Sequence, residues 1–254
     1  NDDGGTSRFI DRSESKLDRI DASHAGTALS IATGVASVEE DNWTIVVVGD
    51  GSLVEGMTWE GLNYAIKCKK LIILLNDNEI AIDKNVGAIN NIMTSKSCDK
   101  LSKSLFESLG FNYYFVDDGH SVNSIEKALI SAKKEINTPS IIHVKTIKGY
   151  GLEISKNHPY KLHFSTPYNK NDIKSTSPVP VGKSFSKIVS ETILENVDEN
   201  NKNHFFITAA TPYASSLEKF KLFYNENYID VGMAEQQLIG IAAGISLKNK
   251  FPHL

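Results

Sequence analysis

Oxygen-bearing side chains follow two apolar runs in the first third of this 254-residue sequence. Residues 45–48 (IVVV) end at Gly49-Asp50-Gly51, and residues 71–75 (LIILL) end at Asn76-Asp77-Asn78. A helical pattern lies between the two runs, so they are expected to be parallel strands. Because ligands bind beyond the carboxyl ends of parallel strands, both polar triplets should lie at one binding edge.

The two triplets predict a site for one hard cation. Asp50 would supply charge, Asn78 an amide oxygen and Ile80 a backbone carbonyl. Mg²⁺ prefers such oxygen ligands, completed by water and substrate phosphates. Gly49 and Gly51 keep the first turn tight, so that backbone N–H groups could reach a phosphate. The alternative is a pair of Asx turns that end two strands. Neither the dinucleotide fingerprint nor the Walker loop fits, because the glycine spacing differs and no GK[ST] follows.

Composition and charge argue against several classes of partner. The net charge of −4 and the pI near 6.0 give no basic footprint for nucleic acid or an anionic membrane. No apolar run approaches the roughly 20 residues needed to cross a bilayer. Cys68 and Cys98 have no metal-type spacing, which favours a reducing compartment, either cytoplasmic or, in a eukaryote, a plastid-type organelle. We interpret the chain as a piece of a longer protein, because it lacks an initiator Met and ends where another strand is expected.

Helical and strand patterns alternate along the chain, and the strands are almost uniformly apolar. This pattern predicts an α/β fold of parallel sheets with helices on both faces. An irregular, proline-rich stretch divides the chain into a domain at 1–152, a linker at 153–182 and a second, incomplete α/β domain at 183–254. The predicted helices are 27–38, 56–68, 99–109, 122–136, 184–194, 215–223 and 234–247, and the predicted strands are 45–48, 71–75, 111–116, 140–146, 204–209 and 228–231.

The motifs resemble those of the 1-deoxy-D-xylulose-5-phosphate synthase family over nearly the whole chain. The segments that carry the resemblance are, in order, GDGSLVEGMTWEGLNYA, LLNDNEIAID, NVGAIN, SLFESLGFNYYFVDDGH and YIDVGMAEQQLIGIAAGI. Within them, the paired GDG and NDN triplets resemble the thiamine-diphosphate motif. The resemblance implies the thiamine-diphosphate-binding fold, with Asp50, Asn78 and Ile80 on Mg²⁺. It also implies that Gly51 and Ser52, together with Asp50 and Asn78, bind the cofactor.

Glu235 lies in the first turn of the last predicted helix, directly after a strand. Taken alone, an acid at this position is explained by the favourable field of a helix N-terminus, about 0.3–1 kcal/mol. The resemblance implies another role, since DVGMAEQ matches the motif whose glutamate bonds a ring nitrogen of the cofactor's aminopyrimidine. Glu235 is therefore expected to bind the cofactor and, as a catalytic residue, to promote loss of the thiazolium proton.

Two histidines and a lysine complete the implied site. His24 lies in SHAGT, which matches a family segment that touches cofactor and substrate. Ser23, His24 and Ala25 are thus expected to contact the cofactor and His24 to be catalytic, with a surface or capping role as the alternative. His163 matches a family histidine that reaches the reacting centre and is expected to be catalytic. Lys148 could reach the diphosphate as a point charge or be a solvated lysine.

The chain departs from the family pattern at several positions. Gln237 stands where the family has a histidine, and Leu152 where it has a tyrosine that contacts the cofactor. Residues 90–105 form a much shorter segment than in the family. Two further histidines are interpreted outside the site, His143 as a hydrogen-bonded core residue and His120 as structural.

The resemblance implies a transferase that decarboxylates pyruvate and joins its two-carbon unit to D-glyceraldehyde 3-phosphate, giving 1-deoxy-D-xylulose 5-phosphate. This is the first step of non-mevalonate isoprenoid-precursor synthesis and also serves thiamine biosynthesis. Thiamine diphosphate and Mg²⁺ are the implied cofactors, and a homodimer is the implied assembly. Two alternatives stay open: ketol transfer between sugar phosphates by a transketolase-type enzyme, and a non-catalytic α/β binding module.

Overall fold

The computed structural model describes residues 9–21, 24–156, 163, 184–198 and 200–254. The strands are β1 (Thr44–Gly49), β2 (Leu71–Asp77), β3 (Asn112–Val116), β4 (Ser140–Lys145), β5 (His204–Thr208), β6 (Tyr228–Asp230) and β7 (Phe251–His253). The α-helices are α1 (Thr27–Ala36), α2 (Gly56–Ala65), α3 (Gly87–Met93), α4 (Cys98–Ser108), α5 (Val122–Ala132), α6 (Phe185–Asn196), α7 (Phe220–Phe223) and α8 (Glu235–Ser246).

Four parallel strands form the first sheet, in the order β1-β2-β4-β3. Their β-branched and other apolar residues suit a buried parallel sheet. In the register, Gly49 pairs with Asn76, and Asp77 pairs with Lys145. The polar triplets after β1 and β2 therefore lie side by side at the carboxyl edge of the sheet.

Side chains alternate between the two faces of this sheet and build two apolar cores. One core joins the strands to α1, α2, α3 and α4, and includes Leu29, Leu62 and Phe106. The other joins the strands to α5, and includes Val116 and Ala132. Helices cover both faces, which confirms the predicted fold class.

The outer strand β1 is less covered than the sequence predicted. Ile45 is 46% exposed and Val47 is 61% exposed, whereas Val46 and Val48 on the other face are buried. The expectation of burial on both faces is therefore wrong for this strand. The physical reason is its place at the edge of the sheet, where side chains have a neighbouring strand on one side only.

Three parallel strands form the second sheet, in the order β6-β5-β7. Its core is aromatic, with the ring of Phe206 centred 4.4 Å from Phe220 and 4.6 Å from Tyr224. Helix α8 packs against β7 and β5. This confirms the predicted return of α/β alternation in the last part of the chain.

Two local elements differ from the sequence prediction. Residues 215–223 form turns and the short helix α7, because Ser216 takes a left-handed φ of 58° that an α-helix does not contain. Helix α3 was not predicted, since its seven residues are too few to show a helical period.

Most of the predicted linker lies outside the described residues. The parts of it that the structure describes are residues 153–156, which include the 3₁₀ turn Glu153–Ser155, and His163. Within the described chain, every helix is too short or too polar to span a membrane.

Candidate cofactor site

Asp50 begins the 3₁₀ turn Asp50–Val54, directly after β1. The residue is only 4% exposed, and its Oδ2 accepts a hydrogen bond from Nδ2 of Asn85 at 2.7 Å. Burial, and secondly the charge of Asp77, raise the pKa of Asp50 from 3.8 to about 6, while backbone N–H groups of Gly51 and Glu79 act in the opposite direction. A buried carboxylate in this setting is stabilised by a nearby cation.

Asn78 follows β2 and starts the segment that returns to Asp50 through Asn85. The Oδ1 atom of Asn78 accepts a hydrogen bond from the backbone N–H of Ile80 at 3.2 Å. This is the Asx turn that the sequence left open as the alternative, and Glu79 within it has a left-handed φ of 65°. The turn does not prevent cation binding, because an amide oxygen has two lone pairs and the turn uses one.

Lys148 brings a positive charge to the same loop. Its Nζ donates to the backbone carbonyl of Ile80 at 3.3 Å, to the carbonyl of Ala81, and to Nδ1 of His163 at 2.8 Å. Burial lowers the pKa of Lys148 from 10.5 to about 8, and the charge of Asp50 opposes that shift. These contacts do not fit a freely solvated lysine, and they place His163 beside the loop.

The segment that precedes α8 packs on the turn that carries Asp50. A Cβ built on Gly51 would lie 2.6 Å from the Cβ of Ala81 and 3.1 Å from Sδ of Met233. A Cβ built on Gly232 would lie 3.2 Å from a methyl group of Val86. The segment that precedes α8 therefore meets the loops at the carboxyl edge of the first sheet, and only glycine fits at position 51 without a shift of its neighbours.

Glu235, the first residue of α8, is exposed at this meeting point. Its charge acts on Glu55, which is 7% exposed and whose pKa is raised by burial and, secondly, by the charge of Glu235. The Glu55 carboxylate also lies over Gly26, where a built Cβ would be 3.0 Å from Oε2. Glu55 thus touches the loop that carries His24 and lies within the electrostatic influence of the start of α8.

A cavity of about 350 Å³ opens beside the turn that begins with Asp50. Among the predicted site residues, His24, Ala25 and Ser52 line it. This volume lies within the range of small-molecule sites, roughly 300–1,000 Å³. Ser23 lies outside the described residues.

The donor atoms fit a hard divalent cation that is held together with phosphate. Asp50, Asn78 and Ile80 offer a carboxylate, an amide and a carbonyl oxygen, all of the type that Mg²⁺ prefers. Within the described chain, no group of three or more His, Cys, Asp or Glu side chains could hold a metal. Phosphate and water oxygens would therefore have to complete the coordination. The Ile80 carbonyl already attracts one cation, the ammonium of Lys148.

Two residues of this region were not singled out from the sequence. Asn85 contacts Asp50 and begins the segment NVGAIN, which forms part of the family resemblance but without a role for this residue. Glu55 resembles an ordinary acid at the start of a helix. The signal that could have found Glu55 is its position at the end of the turn that begins with Asp50.

Comparison with known proteins gives consistent matches. Residues 1–104 and 96–146 match the family described as 1-deoxy-D-xylulose-5-phosphate synthase. The chain is 34% identical over 291 residues to the 1-deoxy-D-xylulose-5-phosphate synthase of Methylacidiphilum infernorum, covering 98% of this chain and 46% of that protein. It is 31% identical over 296 residues to the enzyme of the same name from Gloeothece citriformis, with the same coverage.

Among solved structures, transketolase from Leishmania mexicana matches 48% of this chain and 18% of its own, with 27% identity and a TM-score of 0.35. That score is too low for the likeness to bear on the fold. The chain spans about half the length of the curated relatives it matches.

Proposed function

Because the chain belongs to the 1-deoxy-D-xylulose-5-phosphate synthase family, we propose that it carries a thiamine-diphosphate site of a transferase. The proposed reaction decarboxylates pyruvate and joins the remaining two carbons to D-glyceraldehyde 3-phosphate, forming 1-deoxy-D-xylulose 5-phosphate. That product would feed isoprenoid-precursor and thiamine synthesis. Mg²⁺ as the metal and a homodimer as the assembly belong to the same proposal.

One observation carries the proposal above all others. Met233 packs on Gly51, so the segment before α8 touches the turn with Asp50, and these two segments would form the walls of one cleft. In this family, the first wall would hold the aminopyrimidine end of the cofactor and the second its diphosphate. A chain that had the fold of the family but not its cofactor site would not need these two segments in contact.

On the diphosphate wall, Asp50, Asn78 and the carbonyl of Ile80 would hold Mg²⁺. Gly51 would let the backbone approach the phosphates, since a side chain there would meet Ala81. Lys148, now bonded to the carbonyls of the same loop, would offer its charge to a phosphate oxygen. Ser52 lies on the adjoining cavity wall and would contact the cofactor from there.

On the opposite wall, Glu235 would donate its proton to a ring nitrogen of the aminopyrimidine. When bound, thiamine diphosphate supplies the electron sink that makes carbon–carbon bond cleavage possible. The exposed position of Glu235 at the cleft supports this role, because a ligand can reach its carboxyl group.

His24 and His163 would serve proton transfers around the bound substrate. His24 and Ala25 line the cavity beside the Asp50 turn, and His163 contacts Lys148. An imidazole titrates near neutral pH, so it can both accept and return a proton during turnover. Ser23, next to His24 in the chain, would contact the cofactor with it.

Binding is tested by melting the chain with thiamine diphosphate and Mg²⁺, alone and together. Joint binding at 100 times the dissociation constant stabilises the folded state by roughly 2.7 kcal/mol. For a chain of this size that corresponds to a rise of about 5–10 °C in melting temperature. Thiamine without its diphosphate, given with Mg²⁺, is the matched control and should give no rise.

Turnover is tested by the release of carbon dioxide from pyruvate in the presence of D-glyceraldehyde 3-phosphate. Ketol transfer between sugar phosphates releases none, so the assay separates the proposed reaction from a transketolase-type reaction. If millimolar thiamine diphosphate and Mg²⁺ together leave the melting temperature unchanged, the proposed cofactor site is wrong.

A further inference from the structure

A buried chain of three polar side chains runs beneath the candidate metal loop. The Nε2 atom of His143 lies 2.7 Å from Oδ2 of Asp77, and its Nδ1 atom lies 2.8 Å from the hydroxyl of Tyr113. Asp77 and His143 are fully buried and Tyr113 is nearly so. These residues come from β2, β4 and β3 and lie on the same face of the sheet as the larger apolar core.

The direction of each hydrogen bond follows from its partners. An ionised carboxylate only accepts, so the Nε2 atom of His143 donates to Asp77. The Nδ1 atom of a neutral His143 is then the acceptor, and the Tyr113 hydroxyl donates to it. Tyr113 therefore selects the tautomer of His143 that points a proton at Asp77.

Asp77 connects the row of polar side chains to the segment that carries the candidate metal ligands. Its Oδ1 accepts a hydrogen bond from the backbone N–H of Glu79 at 3.3 Å, and its backbone carbonyl accepts one from Thr146 at 2.8 Å. Lys145 donates to Oδ2 of Asp77 at 3.1 Å and to Glu79 at 2.8 Å. The contacts of Asp77 and Lys145 with Glu79 hold the turn between Asn78 and Ile80 in place.

The Tyr113 end of this row of polar side chains lies near the other end of the segment that carries Asn78 and Ile80. Ser102 of α4 lies near the Tyr113 hydroxyl, and its Oγ donates to Sδ of Met93 at 3.8 Å. Met93 is the last residue of α3, the helix that follows Asn78, Ile80 and Asn85 in the chain. The contact between Ser102 and Met93 therefore joins α4 to the end of α3, beside Tyr113.

We propose that His143 is a positioning residue for the metal site, acting through Asp77 on the loop that carries Asn78 and Ile80. The inference rests on the proposed function, because it assumes that this loop binds Mg²⁺ with thiamine diphosphate. His143 touches neither ligand in this role. Hydrogen-bond partners that orient metal ligands typically contribute 10–100-fold in metal affinity.

The deciding measurement is the Mg²⁺ concentration that gives half of the rise in melting temperature at saturating thiamine diphosphate. His143→Leu removes the donor to Asp77 and should raise this concentration by about 10–100-fold. His143→Gln keeps an amide donor that can reach Asp77, and should restore most of the affinity. A residue needed only for packing would not distinguish glutamine from leucine in this way.

A second pair of variants guards against a leucine variant that does not fold. Tyr113→Phe removes one hydroxyl and keeps the ring that stacks on Phe106 at 6.1 Å. It should raise the half-saturating Mg²⁺ concentration by about three- to tenfold. Tyr114→Phe is the matched control, since its hydroxyl faces the other core and contacts the backbone of Ser131. It should leave the Mg²⁺ requirement unchanged.

The outcomes distinguish the positioning role of His143 from the proposed function. If the unchanged protein shows the joint rise but Tyr113→Phe and a folded His143→Leu need no more Mg²⁺ than it does, the positioning role is rejected and the proposed function stands. The positioning role is likewise rejected if the variants lose stability without ligands while their Mg²⁺ requirement stays normal. If the unchanged protein shows no rise at all, the proposed function fails and the positioning role falls with it.

Discussion

The ammonium group of Lys148 lies 3.3 Å from the backbone carbonyl oxygen of Ile80, the same oxygen that we propose as a ligand of Mg²⁺. The protein thus places a cation of its own on this oxygen. The arrangement has a cost, because burial lowers the pKa of Lys148 to about 8.

Lys148→Met should change how stability depends on pH. Between about pH 8 and 10.5 the unfolded chain still holds the lysine proton, whereas the folded chain has lost it. Stability therefore rises with pH across this window, and the variant should lack that part of the rise. Urea unfolding of the protein without ligands at pH 7, 8, 9 and 10 would measure it. Lys96→Met at an exposed position is the control, and parallel curves for Lys148→Met and the unchanged protein would contradict the prediction.

Asp50→Asn should stabilise the protein without ligands at pH 7 and abolish its response to Mg²⁺. The folded pKa is raised from 3.8 to about 6, so the unfolded chain ionises first and stability falls as pH rises through that window. Above pH 6 the full cost applies, up to roughly 3 kcal/mol, and asparagine does not ionise. The gain should be present at pH 7 and absent below pH 4 in urea unfolding. If the difference in stability between Asp50→Asn and the unchanged protein were the same at pH 7 as at pH 4, a buried charged Asp50 would be contradicted.

Glu235→Gln should separate binding from turnover. Glutamine keeps the size of the side chain but cannot carry the exchangeable proton, so general acid–base catalysis worth roughly 10²–10⁴-fold should be lost. The joint rise in melting temperature with thiamine diphosphate and Mg²⁺ should be largely kept. Carbon dioxide release from pyruvate measures the first effect and thermal melting the second. Normal release by the variant would remove Glu235 from the catalytic site.

Gly51→Ala should destabilise the protein, although alanine is a small residue. The new methyl group would meet Ala81 at 2.6 Å and Met233 at 3.1 Å. Overpacking of this kind costs about 1–3 kcal/mol, and here it would also push the segment before α8 away from the turn with Asp50. Cofactor affinity should therefore fall together with the melting temperature.

Gly34→Ala is the matched control for this change. Gly34 lies inside α1 with open space around a built Cβ, so alanine there should raise stability by about 0.5–1 kcal/mol. If both variants had the same stability, the close approach at Gly51 would not be a constraint in solution.

The sequence predicted the part of the site that depends on parallel strands. Asp50 and Asn78 could be expected at one edge because each follows an apolar run, and strands joined by a helical crossover end on the same side. Periodicity likewise indicated α1, α2 and the strands around them. These elements depend on short-range sequence patterns, and tertiary contacts did not change them here.

The remaining contacts depend on the order of strands, which the alternation of patterns does not determine. His143 meets Asp77 and Tyr113 because β4 lies between β2 and β3, although β3 precedes β4 in the sequence. The interpretation of His143 as a hydrogen-bonded core residue is confirmed, but its partners could not be foreseen. The contacts of Asn85 and Glu55 could not be foreseen either, because each depends on the path of a loop.

The strand order also has a consequence for how the chain folds. The central pair of the first sheet, β2 and β4, is joined by two helices, a strand and a third helix in sequence, so its formation closes a long loop before any contact repays the entropy. The edge strands β1 and β3 each pair with only one member of that couple and cannot complete the sheet earlier. Refolding from denaturant should therefore be slow compared with a helical bundle of similar size. While β2 and β4 are apart, their unpaired backbone leaves the chain open to association with other copies.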